Sequence, residues 1–360
     1  MGDTRPLVAA LTRYSRRAGS SRLRHFSHFE RLMREGFEVR AQALLPDAHI
    51  DAIYGESPRP SYLGYMRSYA QRSEFIARLP RGAIGWVEKE VFAWMPAIAD
   101  RLGMRRFGTT ILDLDDAWFA NYELADRFPA RLLRQKMSQL FERADIITVA
   151  NQFLLEEVGN RGGRDVRVLG QAIDTHRYRP LRERRETGRV TIGWIGTPLN
   201  AALYLPPVVE ALNRLVRENG CRVLLIGAGS SVPELNAERR GWSEDTEVES
   251  ILEFDIGIMP LTDTVWNRCK SGYKLVQSMA CGQVPVGTAV GFNQVLITHE
   301  VDGMLINPDR PQDWFETLRY LVQNPDLRYR LGAAARQTIE SNYTIDKLSD
   351  EVASLFRTLV

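Results

Sequence analysis

Residues 255–286 read DIGIMPLTDTVWNRCKSGYKLVQSMACGQVPV. Asp255–Leu261 is a short, almost unbroken apolar run, as expected of a strand buried on both faces. Pro285–Gly291 is another, and Gly272–Ala280 between them has the spacing of a helix. Strand, helix, strand is the unit that builds a parallel sheet. The same alternation extends on both sides. Upstream, Val190–Gly196 and Cys221–Gly227 read as strands. Between them, Leu205, Val208, Val209, Leu212, Leu215 and Val216 share one face of a helix expected over Leu203–Glu218. Downstream, helices are expected over 311–322, 326–341 and 345–358.

The N-terminal half repeats the theme. Leu7–Leu11, Phe37–Leu45, Ala83–Val87, Thr110–Leu114, Ile146–Ala150 and Val166–Leu169 read as strands, and Ser21–Glu35 as a helix. Leu181–Arg189 (LRERRETGR) is charged, lacks apolar periodicity and reads as a linker. A length of 360 residues suits two domains. The expected division is 1–183, the first domain; 184–342, the second; and 343–360, a closing helix. Such folds bind ligands at the carboxyl ends of their strands, in a cleft between domains.

Composition narrows the function. Apolar residues at 44% and charged residues at 26% exclude a disordered chain. No apolar run approaches the roughly 18–20 residues of a membrane-spanning helix, and MGDTRPLVAALTRYSRR does not read as a secretion signal. Three scattered cysteines, Cys221, Cys269 and Cys281, suggest a reducing compartment and no zinc site. The expected location is the cytoplasm, with peripheral contact at the inner membrane face through the basic half as a second expectation. Residues 1–180 hold 28 Lys+Arg against 22 Asp+Glu, and residues 181–360 hold 19 against 23. The basic half suits an anionic partner. Its arginines are not interleaved with base-stacking aromatics, so nucleic acid is not expected. Arg13–Arg34 mixes arginines with Tyr14, Phe26, Phe29, Leu32 and Met33; it reads either as a basic amphipathic helix for a membrane surface or as a core-facing helix with solvated arginines. Only five of the 47 basic residues are lysines: Lys89, Lys136, Lys270, Lys274 and Lys347. Two of them stand four residues apart in the opening stretch.

That stretch resembles the donor-site signature of the family 4 glycosyltransferases, retaining enzymes of the two-Rossmann-domain GT-B type. The nearest subgroup pattern is carried here by D-I-G-I-M-P-L, Trp266, Lys270, Lys274, Gln277, Met279, Ala280, Gly282, Pro285 and Val286. Looser likeness runs through Trp194–Pro198, Gly19-Ser20-Ser21-Arg22-x-Arg24, Asp113–Asp116 and Val149–Gln152. The resemblance implies two Rossmann-like domains facing across a cleft, a C-terminal helix crossing back, and transfer of a sugar from a nucleoside diphosphate donor, a UDP-sugar, with retention. It implies front-face attack assisted by the donor phosphate. It also implies a substrate nucleotide rather than a cofactor. The hydroxyl acceptor is a glycan, a lipid-linked sugar or a small molecule.

Site roles follow from the resemblance and the chemistry together. Most of the family carries two glutamates eight positions apart; here Cys269 and Gln277 stand in their places. Gln277 can still hydrogen-bond a ribose hydroxyl, whereas Cys269 cannot replace a carboxylate. A departing diphosphate leaves negative charge, which Lys270 and Lys274 can meet from one helix face, with the N–H groups of Gly272 and Tyr273 beside them. Gly196-Thr197 offers a strand-to-helix turn for the same anion. From the first domain, the resemblance lays Gly19 and Ser20 over the donor phosphates. Arg22 and Arg24 add charge toward the acceptor, and Asp115 and Asp116 meet its hydroxyl, with Asp116 favoured for the catalytic role. Asp116 as a plain helix cap is the alternative. Asp113-x-Asp115-Asp116 also looks like a metal motif, but no metal is expected where lysines already supply positive charge. Two readings from other classes stay open: a catalytically degenerate nucleotide-sugar-binding protein, and a phosphorylase or epimerase on the same fold.

Overall fold

The computed structural model describes residues 5–54, 57–126, 128–181 and 188–360. The chain divides into two units: Met1–Ala52, Glu56–Gln171 and Asp346–Val360 form the first; Ile53–Gly55 and Ala172–Ile345 form the second. The expected boundary at 183/184, and most of the linker around it, lie outside the described residues. Residues 172–181 pack with the second unit, and the C-terminal segment joins the first from residue 346.

Six parallel strands form the sheet of the first unit: β1 (Leu7–Thr12), β2 (Glu38–Ala43), β3 (Ile84–Glu88), β4 (Thr109–Leu114), β5 (Ile146–Val149) and β6 (Val166–Val168). Their spatial order is β2-β1-β3-β4-β5-β6. LVAALT in β1 is buried throughout, as befits a strand with neighbours on both sides, while EVRAQA in β2 is largely exposed at the edge. The segment expected as one helix over Ser21–Glu35 is broken. It runs as a helix over Gly19–Arg24, a single 3₁₀ turn over Phe26–His28 and a helix over Phe29–Arg34. His25 and His28 are buried against Trp86. The membrane-surface helix over Arg13–Arg34 is therefore corrected: the stretch is not one helix, and its histidines and Leu32 belong to the core.

The closing helix, Ile345–Arg357, also packs in the first unit. Phe356 meets Phe37 and Trp86 edge-on, and the Ser349 hydroxyl donates to His28 Nδ1 at 2.8 Å.

The second unit has a six-stranded parallel sheet of β7 (Thr191–Ile195), β8 (Arg222–Ile226), β9 (Glu238–Arg240), β10 (Ile256–Met259), β11 (Val284–Thr288) and β12 (Met304–Ile306). Its order is β12-β11-β10-β7-β8-β9, the doubly wound Rossmann order. Strands β9 and β12, which the sequence reading passed over, are three-residue edges. The helix expected over Leu203–Glu218 is interrupted by Pro206-Pro207, giving Pro198–Tyr204, a short 3₁₀ turn and Val209–Asn219. Helix Tyr273–Ala280 lies tightly on the sheet because Gly257 of β10 has no side chain; a Cβ there would run into the Ser278 hydroxyl. That close seat fixes where the start of the helix, with Lys274, falls.

Candidate functional site

In the second unit, strand order reverses between β7 and β10, the crevice where doubly wound sheets hold ligands. Gly196 follows β7 directly. A side-chain carbon at Gly196 would lie 2.9 Å from the Lys274 ammonium, so the glycine opens the space in which Lys274 sits. The same ammonium is 5.1 Å from the Trp194 ring. Burial, and secondarily Lys270, lower the pKa of Lys274 to about 7. Lys270 lies between Tyr204 and Trp266, 5.2 and 5.5 Å from their rings. Gly272, at φ +66°, is the N-cap of helix Tyr273–Ala280, and no side chain caps that helix. Tyr273 and Lys274 form its first turn, at the positive end of the helix dipole. Lys274 and the helix N-terminus thus meet beside Gly196, with Lys270 near enough to act on the Lys274 charge. Thr197 does something narrower: its hydroxyl caps helix Pro198–Tyr204 by accepting from the Asn200 N–H.

Gln277 is buried, and its Nε2 donates to the Tyr178 hydroxyl at 3.4 Å. Tyr178 donates to Glu247 Oε1 at 2.5 Å, and the Trp242 indole N–H donates to Glu247 Oε2 at 2.9 Å. Burial, then Tyr273 and Glu247, push the Tyr178 hydroxyl far above its usual range. Sequence reasoning missed Tyr178, Trp242 and Glu247; no local motif marks them, since 69 residues separate Tyr178 from its carboxylate. Cys269 is fully buried. A cavity of about 590 Å³ opens at the opposite end of this sheet, among Arg189, Arg222, Asp255 and Arg328, away from Gly196 and Lys274.

The first unit reverses its strand order between β1 and β3, and here the structure adds most to the sequence. Glu88 ends β3, Lys89 and Glu90 follow it, and all three are buried. Glu88 Oε2 accepts from the Arg13 N–H at 2.8 Å and the Ser21 hydroxyl at 2.6 Å. Glu90 meets Arg13 at 2.9 Å and Lys136 at 2.5 Å, and accepts from the Trp118 indole and the Tyr122 hydroxyl. Lys136 also reaches Asp100 at 3.1 Å; burial raises the pKa of that carboxyl to about 6 despite the lysine. Lys89 lies 2.8 Å from Asp115 and 3.7 Å from Asp116. Burial would lower the lysine pKa, but Asp115 and Asp116 outweigh it and raise it. The scarcity of lysine was the available signal: Lys89 and Lys136 sit at this reversal as Lys270 and Lys274 sit at the other.

Gly19 and Ser20 open helix Gly19–Arg24 and are partly exposed. Arg22 is buried. Arg24 is not poised for an acceptor. Its guanidinium grips Asp113 with bonds of 2.5 and 3.0 Å and donates to the Leu169 and Gly170 carbonyls. Asp113 accepts from Thr148 as well. Burial opposes ionisation of Asp113, but Arg24 and Thr148 hold its pKa below the usual carboxylate range. Asp115 and Asp116 are separate from this pair and keep partly exposed side chains of 19% and 25%.

Two parallel six-stranded sheets, each with its own reversal, are the α/β arrangement that GT-B glycosyltransferases share. Sucrose-phosphate synthase from Thermosynechococcus elongatus shares the fold with a TM-score of 0.73 at 13% identity, covering 99% of each chain. Anabaena HepE in complex with UDP-glucose does so with a TM-score of 0.71 at 13% identity, covering 98% of this chain and 99% of that one. Residues 189–324 match the model for glycosyl transferases group 1. That segment is what the chain shares with the group 1 glycosyltransferases. Among curated relatives, it is 20% identical over 235 residues to N-acetyl-alpha-D-glucosaminyl L-malate synthase of Bacillus anthracis, a match spanning 60% of this chain and 60% of that protein. It is 20% identical over 308 residues to D-inositol 3-phosphate glycosyltransferase of Corynebacterium glutamicum, spanning 76% and 71%. Among the described residues, no helix is long and apolar enough to cross a membrane.

Proposed function

We propose that the chain transfers a sugar from a UDP-sugar to an acceptor hydroxyl, with retention of configuration and without a metal ion. The observation that carries this reading is the Lys274 ammonium held against Gly196 at the reversal of the second sheet, beside an uncapped helix N-terminus. An ammonium with a pKa near 7 gains its full charge when a diphosphate arrives, so its stabilisation grows with the phosphate charge. In the reaction, the bond from sugar C1 to the terminal phosphate oxygen breaks and its electron pair stays on the phosphate. The acceptor oxygen bonds C1 on the same face, and the acceptor proton passes to that phosphate oxygen. Lys274, Lys270 and the Tyr273 and Lys274 N–H groups receive the released charge, which is the work a divalent cation does elsewhere. Gln277 meets the ribose. Asp115 and Asp116 meet the acceptor hydroxyl, with Lys89 setting their positions. The nucleotide of HepE and the glycosyltransferase names of the relatives support the donor class.

The test is a melting series with UDP-, GDP-, TDP- and ADP-sugars. A ligand at 100 times its Kd adds about 2.7 kcal/mol. A UDP-sugar should raise the melting temperature and release UDP on turnover. A panel in which no nucleotide sugar shifts the transition would sink the proposal.

A further inference from the structure

Beside the charged cluster of the first unit lies a recess of about 620 Å³ whose walls include Trp94, Trp118, Tyr122, Leu132 and Leu133, with Asn121 at one side. Its two central aromatic rings have their polar edges engaged within the fold. The Trp118 indole N–H donates to Glu90 at 2.9 Å. The Tyr122 hydroxyl donates to Glu90 and accepts the Trp94 backbone N–H at 3.0 Å. Cations steady both rings: the Arg13 guanidinium is 4.0 Å from the Trp118 centroid, and the Lys136 ammonium 5.4 Å from that of Tyr122. Tyr122 is itself buried and holds the Trp94 backbone, so what the recess offers a ligand is the ring surface of Trp94 and Trp118, which binds apolar groups at little cost in side-chain entropy.

Three further observations point the same way. Trp94 is held at φ +58°, a conformation that costs a non-glycine residue of order 1–3 kcal/mol and collects at functional sites. Around the recess, apolar side chains stay in water: Trp94 is 47% exposed, Leu132 73% and the neighbouring Phe128 80%. Trp118 follows Asp116 by only two residues, so the recess adjoins the carboxylates proposed to meet the acceptor hydroxyl.

We propose that this recess binds the apolar aglycone of the acceptor: the acceptor is a hydroxyl-bearing head group joined to an alkyl or aryl body that packs on Trp94 and Trp118. The inference rests on the glycosyl-transfer reading and adds the acceptor's chemical class to it. A solely polar acceptor would leave Trp94 and Leu132 facing water.

Binding is measured by calorimetry with three probes: methyl, octyl and 4-nitrophenyl β-D-glucopyranoside, the octyl compound below its micelle concentration. The octyl or nitrophenyl glucoside should bind at least tenfold tighter than the methyl glucoside. Preference for octyl identifies an aliphatic body, and preference for nitrophenyl an aromatic one. Leu132→Asp, which places a charge on an exposed wall without touching the Glu90 network, should abolish the preference and leave UDP affinity unchanged. Equal affinity for the three probes, including no binding by any, overturns the proposal, as does a preference that survives in Leu132→Asp. UDP binding measured on the same samples reports separately on the glycosyl-transfer reading.

Discussion

The protonation of Lys274 makes a quantitative demand on nucleotide binding. With a pKa lowered to about 7 by burial and by Lys270, roughly half of the free protein carries the charge at pH 7, and about one molecule in a hundred at pH 9. A bound diphosphate favours the charged form and returns the pKa toward about 10.5. UDP therefore selects the protonated state, and its apparent Kd should rise about fifty-fold between pH 7 and pH 9. Linkage gives the sign: the complex holds more protons than the free protein, so affinity falls as pH rises. The terminal phosphate of UDP, with its second pKa near 6, contributes little in this window. Calorimetry in buffers of different ionisation enthalpy should find uptake of about half a proton per UDP at pH 7, approaching one at pH 8.5. Lys274→Met should bind UDP weakly and without this slope. Turnover follows: Lys274→Ala should lower kcat/KM by roughly 10²–10³, and Lys274→Arg should restore little, because a planar fork does not replace a compact ammonium. A flat Kd from pH 7 to 9 with no proton uptake would refute the role of Lys274.

Further outcomes are expected at Gln277, Arg24 and Asp116. Gln277→Ala should weaken UDP binding by about 1–2 kcal/mol in a calorimetric titration. Gln277→Glu restores the residue common in the family yet should cost roughly 1–3 kcal/mol of unfolding free energy, because the Tyr178 hydroxyl would serve two carboxylates and can donate to one; adding Glu247→Gln should recover most of it in denaturant titrations. Arg24→Met should lose about 3–5 kcal/mol by leaving Asp113 buried and uncompensated, and a loss below 1 kcal/mol would contradict the pairing. Asp116→Asn should reduce turnover at unchanged UDP affinity, with wild-type activity persisting in excess EDTA; loss on chelation, restored by Mn²⁺, would overturn the metal-free mechanism.

The sheets were legible because their interior strands are nearly pure apolar runs. VTIGWIG and DIGIMPL leave little choice once helical segments fall between them. The edge strand Glu238–Arg240 was illegible for the opposite reason: three charged residues carry no strand signal, and pairing to β8 alone makes them a strand. The closeness of Lys270 to Lys274 could be read because a helical turn separates them and both lie in one signature. Arg24 could not be read correctly. Its carboxylate partner is 89 residues away, and a sequence does not show which arginines find one. The same holds for Glu88 and Glu90, which look like alternating surface charges beside Lys89 until burial sets them under Arg13 and Lys136.

The first unit closes only with residues 346–360, yet these are translated after the whole of 172–345. Until they emerge, Trp86 and Phe37 lack Phe356, and His28 lacks Ser349. Vectorial synthesis thus reverses the usual order, in which N-terminal domains finish first. The second unit is contiguous apart from three residues and can complete its fold while the first is still waiting. On the ribosome, the second sheet is ready before the first, begun ahead of it.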